Sequence, residues 1–131
     1  MSLLGATEIR ELAAKLDLNP SKGLGQNFVI DGNVCQKIVR QVSIAQSDVA
    51  LEIGPGLGSL TLAILETGAP LIAVEIDARL AKQLPETVAL HNPDADITVI
   101  NQDALNVTKL PKAPTVLVAN LPYNVSVPVL L

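Results

Sequence analysis

The sequence has almost no aromatic residues, since Phe28 and Tyr123 are the only two and tryptophan is absent. The hydrophobic residues, 49% of the chain, are therefore nearly all aliphatic, and we expect an aliphatic core. A single cysteine, Cys35, excludes an internal disulfide and favours a reducing compartment. No apolar run approaches the roughly 20 residues that span a bilayer, and the sequence does not begin with a secretory signal. These absences predict a soluble protein of the cytoplasm.

Charged residues are few and unevenly distributed. The net charge is −4 over 131 residues, which argues against a nucleic-acid clamp formed by the whole chain. Residues 1–40 carry five basic and four acidic residues, a net charge of +1, whereas the remainder carries four basic and nine acidic residues, a net charge of −5. A basic surface is therefore expected near the N-terminus or outside this sequence. No cluster of histidine, cysteine and carboxylate residues indicates a metal site, and the single histidine, His91, is given no role.

Two amphipathic helices are predicted before the first strand. The stretch "ATEIRELAAKLDL" has the apolar spacing of one helical face, and a second helix is capped from within residues 31–33. The intervening "NPSKGLGQNF" is a loop rich in turn-forming residues. Cys35, on the second helix, is expected in the core. The apolar positions are Ile9, Leu12, Ala13 and Leu16 on the first helix, and Val34, Ile38, Val39 and Val42 on the second.

After residue 48 the pattern changes to strands that alternate with helices, which predicts a mainly parallel sheet with helices on both faces. We therefore divide the chain into a helical segment with a loop, residues 1–48, and the first part of an α/β domain, residues 49–131. Pro85 is expected to break or kink the helix that starts at Asp77, and Gly68 closes the helix before it. The predicted strands are Val49–Ile53, Leu71–Ile76, Asp96–Ile100 and Thr115–Asn120.

In sheets of this kind, ligands bind beyond the carboxyl ends of the strands. Four strand ends are polar or glycine-rich enough to be site candidates: Glu52–Gly58, Glu75–Asp77, Asn101–Ala104 and Asn120–Tyr123.

The first two of these strand ends together favour an adenosine-containing cofactor. Gly54, Gly56 and Gly58 allow a sharp turn and a close backbone approach to a ligand, and the alternative is a strand–helix turn that only needs positive φ. Their G-x-G-x-G spacing differs from the G-x-G-x-x-G of pyrophosphate-binding turns. Glu75 follows about 20 residues later, where a carboxylate can accept both hydroxyls of a ribose. Asp103 could accept from an adenine amino group or cap a helix.

The fourth strand end, "NLPY", has the groups needed to present an exocyclic base amine. The Asn120 side-chain oxygen and the Leu121 carbonyl could accept its two N–H bonds, which would free the nitrogen lone pair for reaction. Pro122 fixes the turn, and Tyr123 could stack on a flipped base. The alternative is an asparagine-led turn with the tyrosine packed in the core.

With these motifs in place, the chain resembles the rRNA adenine N6-dimethyltransferases, and more closely their bacterial small-subunit branch than the antibiotic-resistance branch. The resemblance covers residue 20 to the end and rests on "GLGQNFVID", "LEIGPGLGSLT", "VEID", "QDAL" and "NLPYN". It implies a Rossmann-like class I methyltransferase fold and S-adenosylmethionine as cofactor. It also implies N6,N6-dimethylation of adjacent adenosines in small-subunit rRNA during ribosome biogenesis, with the immature small ribosomal subunit as partner.

The resemblance also implies roles for individual residues. The methionine part of the cofactor would be bordered by Gln26, Asn27 and Val29, and the turn around Gly54 would pass beside the methionyl group and ribose. The remaining cofactor-binding residues would be Glu52, Gly56, Glu75, Ile76, Asp103, Ala104 and Asn120, and the catalytic residues would be Asn120, Leu121, Pro122 and Tyr123.

The family's catalytic domain contains further strands and is followed by a helical domain, which we expect to be absent here. On that basis the far edge of the fourth strand is predicted to be unpaired and open to self-association. The chain alone is expected to be weakly active or inactive. Two alternatives stay open: a nucleotide-dependent oxidoreductase that uses the same glycine turn, and a non-catalytic RNA-binding assembly factor on a methyltransferase scaffold.

Overall fold

The computed structural model describes residues 3–17, 32–121 and 125–130, and from residue 120 onward it describes the backbone only. The described helices are α1 (Ala6–Lys15), α2 (Gly32–Val42), α3 (Ser59–Leu65) and α4 (Ala78–His91), with a short 3-10 helix at Ala104–Asn106. The strands are β1 (Ala50–Ile53), β2 (Leu71–Val74), β3 (Ile97–Ile100), β4 (Val116–Leu121) and β5 (Val125–Leu130).

The strands form one sheet in the order β3-β2-β1-β4-β5. The first four strands are parallel, as predicted, so their carboxyl ends meet at one edge. The sequence did not predict β5, which runs antiparallel to β4 from the Val116–Leu130 pair to the Leu121–Val125 pair. The prediction that the far edge of β4 is unpaired is therefore wrong. Pro128 fits in β5 because β5 is the last strand of the described sheet, where a missing N–H need not break a ladder.

The core lies on the face of the sheet that α3 and α4 cover. Every residue of α3 is buried. Alternate residues of the strands point into the same cluster, for example Ala50 of β1, Ala73 of β2 and Val118 of β4. The opposite face, with Leu51, Ile53 and Val74, is covered in part by the segment from Ala104 to Leu110, which leaves a cavity of about 190 Å³. Among the described residues, no helix is long and apolar enough to cross a membrane.

Two helices differ in detail from what the sequence suggests. Of the two outcomes predicted for Pro85, the break is wrong, since α4 runs through it to His91. Proline removes one helical hydrogen bond, but Leu84 and Val88 are almost fully buried on either side of it and hold the two halves on the core. In α2, Val34 is 49% exposed rather than buried. The buried stripe is centred on Cys35 and Val39, and Val34 lies about 100° around the helix from Cys35.

Candidate functional site

The turn after β1 requires glycine for its backbone. Gly54, Gly56 and Gly58 have φ angles of 70°, 60° and 104°, in the left-handed region that other residues rarely adopt. A Cβ added at Gly58 would also lie 2.8 Å from Cδ1 of Leu84. The turn stays attached to the sheet, since the Gly54 N–H donates to the Val74 carbonyl at 2.9 Å. The backbone angles alone therefore explain why these residues are glycine. Any functional role of the turn depends on what it contacts.

What the turn contacts is Glu75, the residue that follows β2. The Glu75 side chain is only 5% exposed, and its two oxygens accept from the N–H of Gly56 at 3.1 Å and of Asp77 at 3.0 Å. Burial raises the pKa of the Glu75 carboxyl, and hydrogen bonds from the backbone N–H groups of Asp77, Gly56 and Ile76 oppose that rise only in part. A carboxylate oxygen has more than one acceptor direction, so each oxygen of Glu75 can accept a further hydrogen bond from a hydroxyl.

The two residues after Glu75, Ile76 and Asp77, differ in their contacts and exposure. Asp77 caps α4, because its Oδ1 accepts from the N–H of Arg79 at 2.8 Å and of Leu80 at 3.3 Å. Ile76, between the two carboxylates, is 67% exposed. A large exposed apolar side chain next to a buried carboxylate suits a ligand with a flat ring beside a polyhydroxylated group.

The end of β3 contributes both a predicted and an unpredicted residue. Asp103 caps the 3-10 helix through Oδ1, which accepts from the Leu105 N–H at 3.0 Å, and this cap does not by itself preclude a contact with a ligand. Ala104, beside it, is exposed. Asn101, at the same candidate strand end, has no role predicted from the sequence. Its Nδ2 donates to the carbonyls of Glu75 at 2.8 Å and of Ile76 at 3.2 Å.

The structure places Glu52 in the interior of the protein. The Glu52 side chain is fully buried on the helix-covered face, where its Oε1 accepts from the Thr61 hydroxyl of α3 at 2.5 Å. Alternation along β1 explains this position, because residue 52 shares a face with the buried Ala50 and residue 53 faces the other way. Glu52 therefore contacts α3 from the core-facing side of β1.

The residues predicted to present the substrate are described only in part. The backbone of Asn120 and Leu121 continues β4 just beyond Ala119, the partner of Ile53, and so lies next to the glycine turn. Their side chains are outside the description. Pro122, Tyr123 and the loop residues Gln26, Asn27 and Val29 fall outside the described residues altogether.

A family model described as ribosomal RNA adenine dimethylase matches residues 18–131. Curated relatives include ribosomal RNA small subunit methyltransferase A of Leifsonia xyli subsp. xyli, 58% identical over 100% of this chain and 48% of its own length. The protein of that name from Paenarthrobacter aurescens is 53% identical over 98% of this chain and 45% of its own length. The chain thus spans about half the length of these relatives.

Two solved structures are also similar to this chain. A dimethyladenosine transferase from Plasmodium falciparum is 31% identical, with a TM-score of 0.59 over 70% of this chain and 32% of that one. The 23S rRNA methyltransferase ErmE is 25% identical, with a TM-score of 0.55 over 72% of this chain and 48% of that one. The predicted Rossmann-like methyltransferase fold is confirmed by these likenesses and by the parallel sheet. From its family match and its curated relatives, the chain belongs to the ribosomal RNA adenine dimethylase family.

Proposed function

We propose that the full-length protein transfers methyl groups from S-adenosylmethionine to N6 of two adjacent adenosines in small-subunit rRNA. The main support for the proposal is the position of the Glu75 carboxylate. It is buried where β1 and β2 end, and it accepts from the N–H groups of Gly56 and Asp77. The proposed setting is the cytoplasm, with the immature small ribosomal subunit as partner.

The described residues fit the adenosine half of that cofactor. Glu75 accepts hydrogen bonds from the two ribose hydroxyls, in the acceptor directions that its backbone partners do not occupy. Ile76 packs on the adenine ring. Asp103 accepts from the adenine amino group while it caps the 3-10 helix, and Ala104 lies against the base. In the proposed arrangement Gln26, Asn27 and Val29 border the methionine part, residues 1–48 supply that loop, and residues 49–131 supply the strand ends.

The substrate half of the site consists of the residues that follow β4. The Asn120 side-chain oxygen and the Leu121 carbonyl accept the two N–H bonds of the target amine, which localises the lone pair on nitrogen. Pro122 holds the turn, and Tyr123 stacks on the base. The cofactor, when bound, supplies an electrophilic methyl group on a good leaving group. The contribution of the protein is therefore orientation of the amine rather than a strong general base.

A titration of the full-length protein with S-adenosylmethionine tests the cofactor. We expect saturable binding that Glu75→Ala abolishes. Glu86→Ala is the matched control, because this glutamate on α4 keeps 64% of its side chain exposed and should leave binding unchanged. Absence of binding by the folded wild-type protein would contradict the proposed cofactor. A parallel titration of the 131-residue chain shows whether it assembles the pocket unaided.

Methyl incorporation into rRNA of immature small subunits tests the reaction. Tyr123→Ala should remove most incorporation while cofactor binding persists, and Tyr123→Phe should retain most of it because stacking needs only the ring. If the wild-type protein binds the cofactor and the subunit but transfers no methyl group, the protein is an assembly factor and the proposed reaction is wrong. The oxidoreductase alternative already disagrees with the glycine spacing.

A further inference from the structure

Asn101 lies one residue beyond β3, where the hydrogen bonding between β2 and β3 ends. The last backbone bond of this pair runs from the Glu75 N–H to the Ile100 carbonyl at 2.9 Å. Beyond it, the Asn101 amide continues the pairing with its side chain, because Nδ2 lies 2.8 Å from the Glu75 carbonyl and 3.2 Å from the Ile76 carbonyl. Both neighbours are acceptors, so the group that faces them must be the NH₂ rather than the amide oxygen.

The segment to which Asn101 donates, residues 75–77, gains little from apolar burial. Ile76 is 67% exposed and so gains little from burial. Asp77 already belongs to the cap of α4. The path between β2 and α4 is therefore held by polar contacts. The Glu75 N–H donates to the Ile100 carbonyl, and the Glu75 carboxylate accepts from the N–H groups of Gly56 and Asp77. The Asn101 amide adds its two bonds to the carbonyls of this path.

We infer that Asn101 is a positioning residue for the adenosine half of the cofactor. It acts through the backbone of Glu75 and Ile76, and so sets where the ribose-binding carboxylate and the ring-packing side chain lie. This inference rests on the proposed function, because it assumes that these two residues contact an adenosine. It assigns to Asn101 no contact with the methyl group or with the target base.

Asn101→Asp is the most informative variant. It keeps the size of the side chain but places carboxylate oxygens against two carbonyl oxygens. Asn101→Ala removes the donor without adding charge, and it serves in place of Asn101→Asp if the latter is not folded by circular dichroism. Asn106→Asp is the matched control, because it makes the same change at an exposed residue of the neighbouring 3-10 helix.

The first readout is equilibrium binding to the full-length protein of two probes, S-adenosylhomocysteine and 5′-methylthioadenosine, which lacks the amino-acid part. We expect Asn101→Asp to weaken both by the same factor of about ten, in line with the loss of one to two hydrogen bonds. The second readout is steady-state methylation, in which the KM for S-adenosylmethionine should rise about as much while kcat at saturation is unchanged. Asn106→Asp should change neither.

Unaltered probe binding in a folded Asn101→Asp variant would overturn the inference, and so would a loss confined to S-adenosylhomocysteine or to kcat. Failure of the inference can be told from failure of the proposed function by wild-type binding and its loss in Glu75→Ala. If both are observed and Asn101→Asp still binds normally, only the role of Asn101 is wrong. If the wild-type protein binds neither probe, the proposed cofactor itself is wrong.

Discussion

The buried hydrogen bond between Thr61 and Glu52 ties α3 to β1, and Thr61→Val tests how much it stabilises the fold. Both residues have 0% exposure, and the Thr61 hydroxyl donates to Glu52 Oε1 at 2.5 Å. Valine keeps the β-branched shape but offers no donor, so a fully buried carboxyl group loses one partner that water cannot replace. We expect the variant to lose about 2 kcal/mol of unfolding free energy.

Thermal unfolding followed by circular dichroism measures this loss. An unfolding entropy of about 2.1 cal/mol/K per residue gives about 0.28 kcal/mol/K for 131 residues, so the midpoint should fall by about 7 °C. Thr98→Val, the same substitution at an exposed position of β3, should shift the midpoint by less than about 2 °C. Equal midpoints for Thr61→Val and wild type would refute the argument that this bond stabilises the fold.

Two further predictions follow from the strand ends. Gly58→Ala should destabilise the chain by about 2 kcal/mol in urea unfolding. The reason is that the φ angle of Gly58 is 104° and that the new Cβ would lie 2.8 Å from an α4 side chain. Gly5→Ala is the control and should cost less than about 0.5 kcal/mol, because a Cβ there meets nothing within 4 Å. Burial raises the pKa of Glu75, so its carboxylate loses its charge at a higher pH than an ordinary glutamate. Binding of S-adenosylhomocysteine should therefore weaken as the pH falls through that pKa, a dependence that Glu75→Gln should remove. The unfolding free energy of the ligand-free chain should instead fall as the pH rises through that pKa, because the folded state binds this proton more tightly than the unfolded state does.

The sequence predicts the parallel strands well because strands buried on both faces are continuous apolar runs that end at glycine or polar residues. It also predicts that the glycine turn and Glu75 meet, since parallel strands end at one edge of the sheet. It does not predict β5, because Pro128 weakens the strand signal and antiparallel pairing depends on a hairpin rather than on a helical crossover. The uninterrupted α4 likewise depends on tertiary burial of Leu84 and Val88, which no local rule at Pro85 contains.

Within the candidate site, residue types were easier to predict than contacts. The face to which Glu52 points follows from alternation along β1, but the covering of that face by α3 is a property of the packed structure. The role of Asn101 depends on the register of β2 against β3, which places its amide opposite two carbonyls. The sequence signal for Asn101 is a polar amide directly after a buried strand, which is the same signal that marks Asn120.

The pairing of β4 with β5 has a consequence for how a base could be received. The ladder continues to the Asn120–Ser126 and Leu121–Val125 pairs, so the backbone of the two residues proposed to face the target amine belongs to an antiparallel strand pair. A peptide held by sheet pairing has already lost its conformational freedom when the chain folds. In the proposed reaction the Leu121 carbonyl therefore need not be ordered again at each encounter with RNA, which leaves more of the binding energy for drawing the adenine out of its stack.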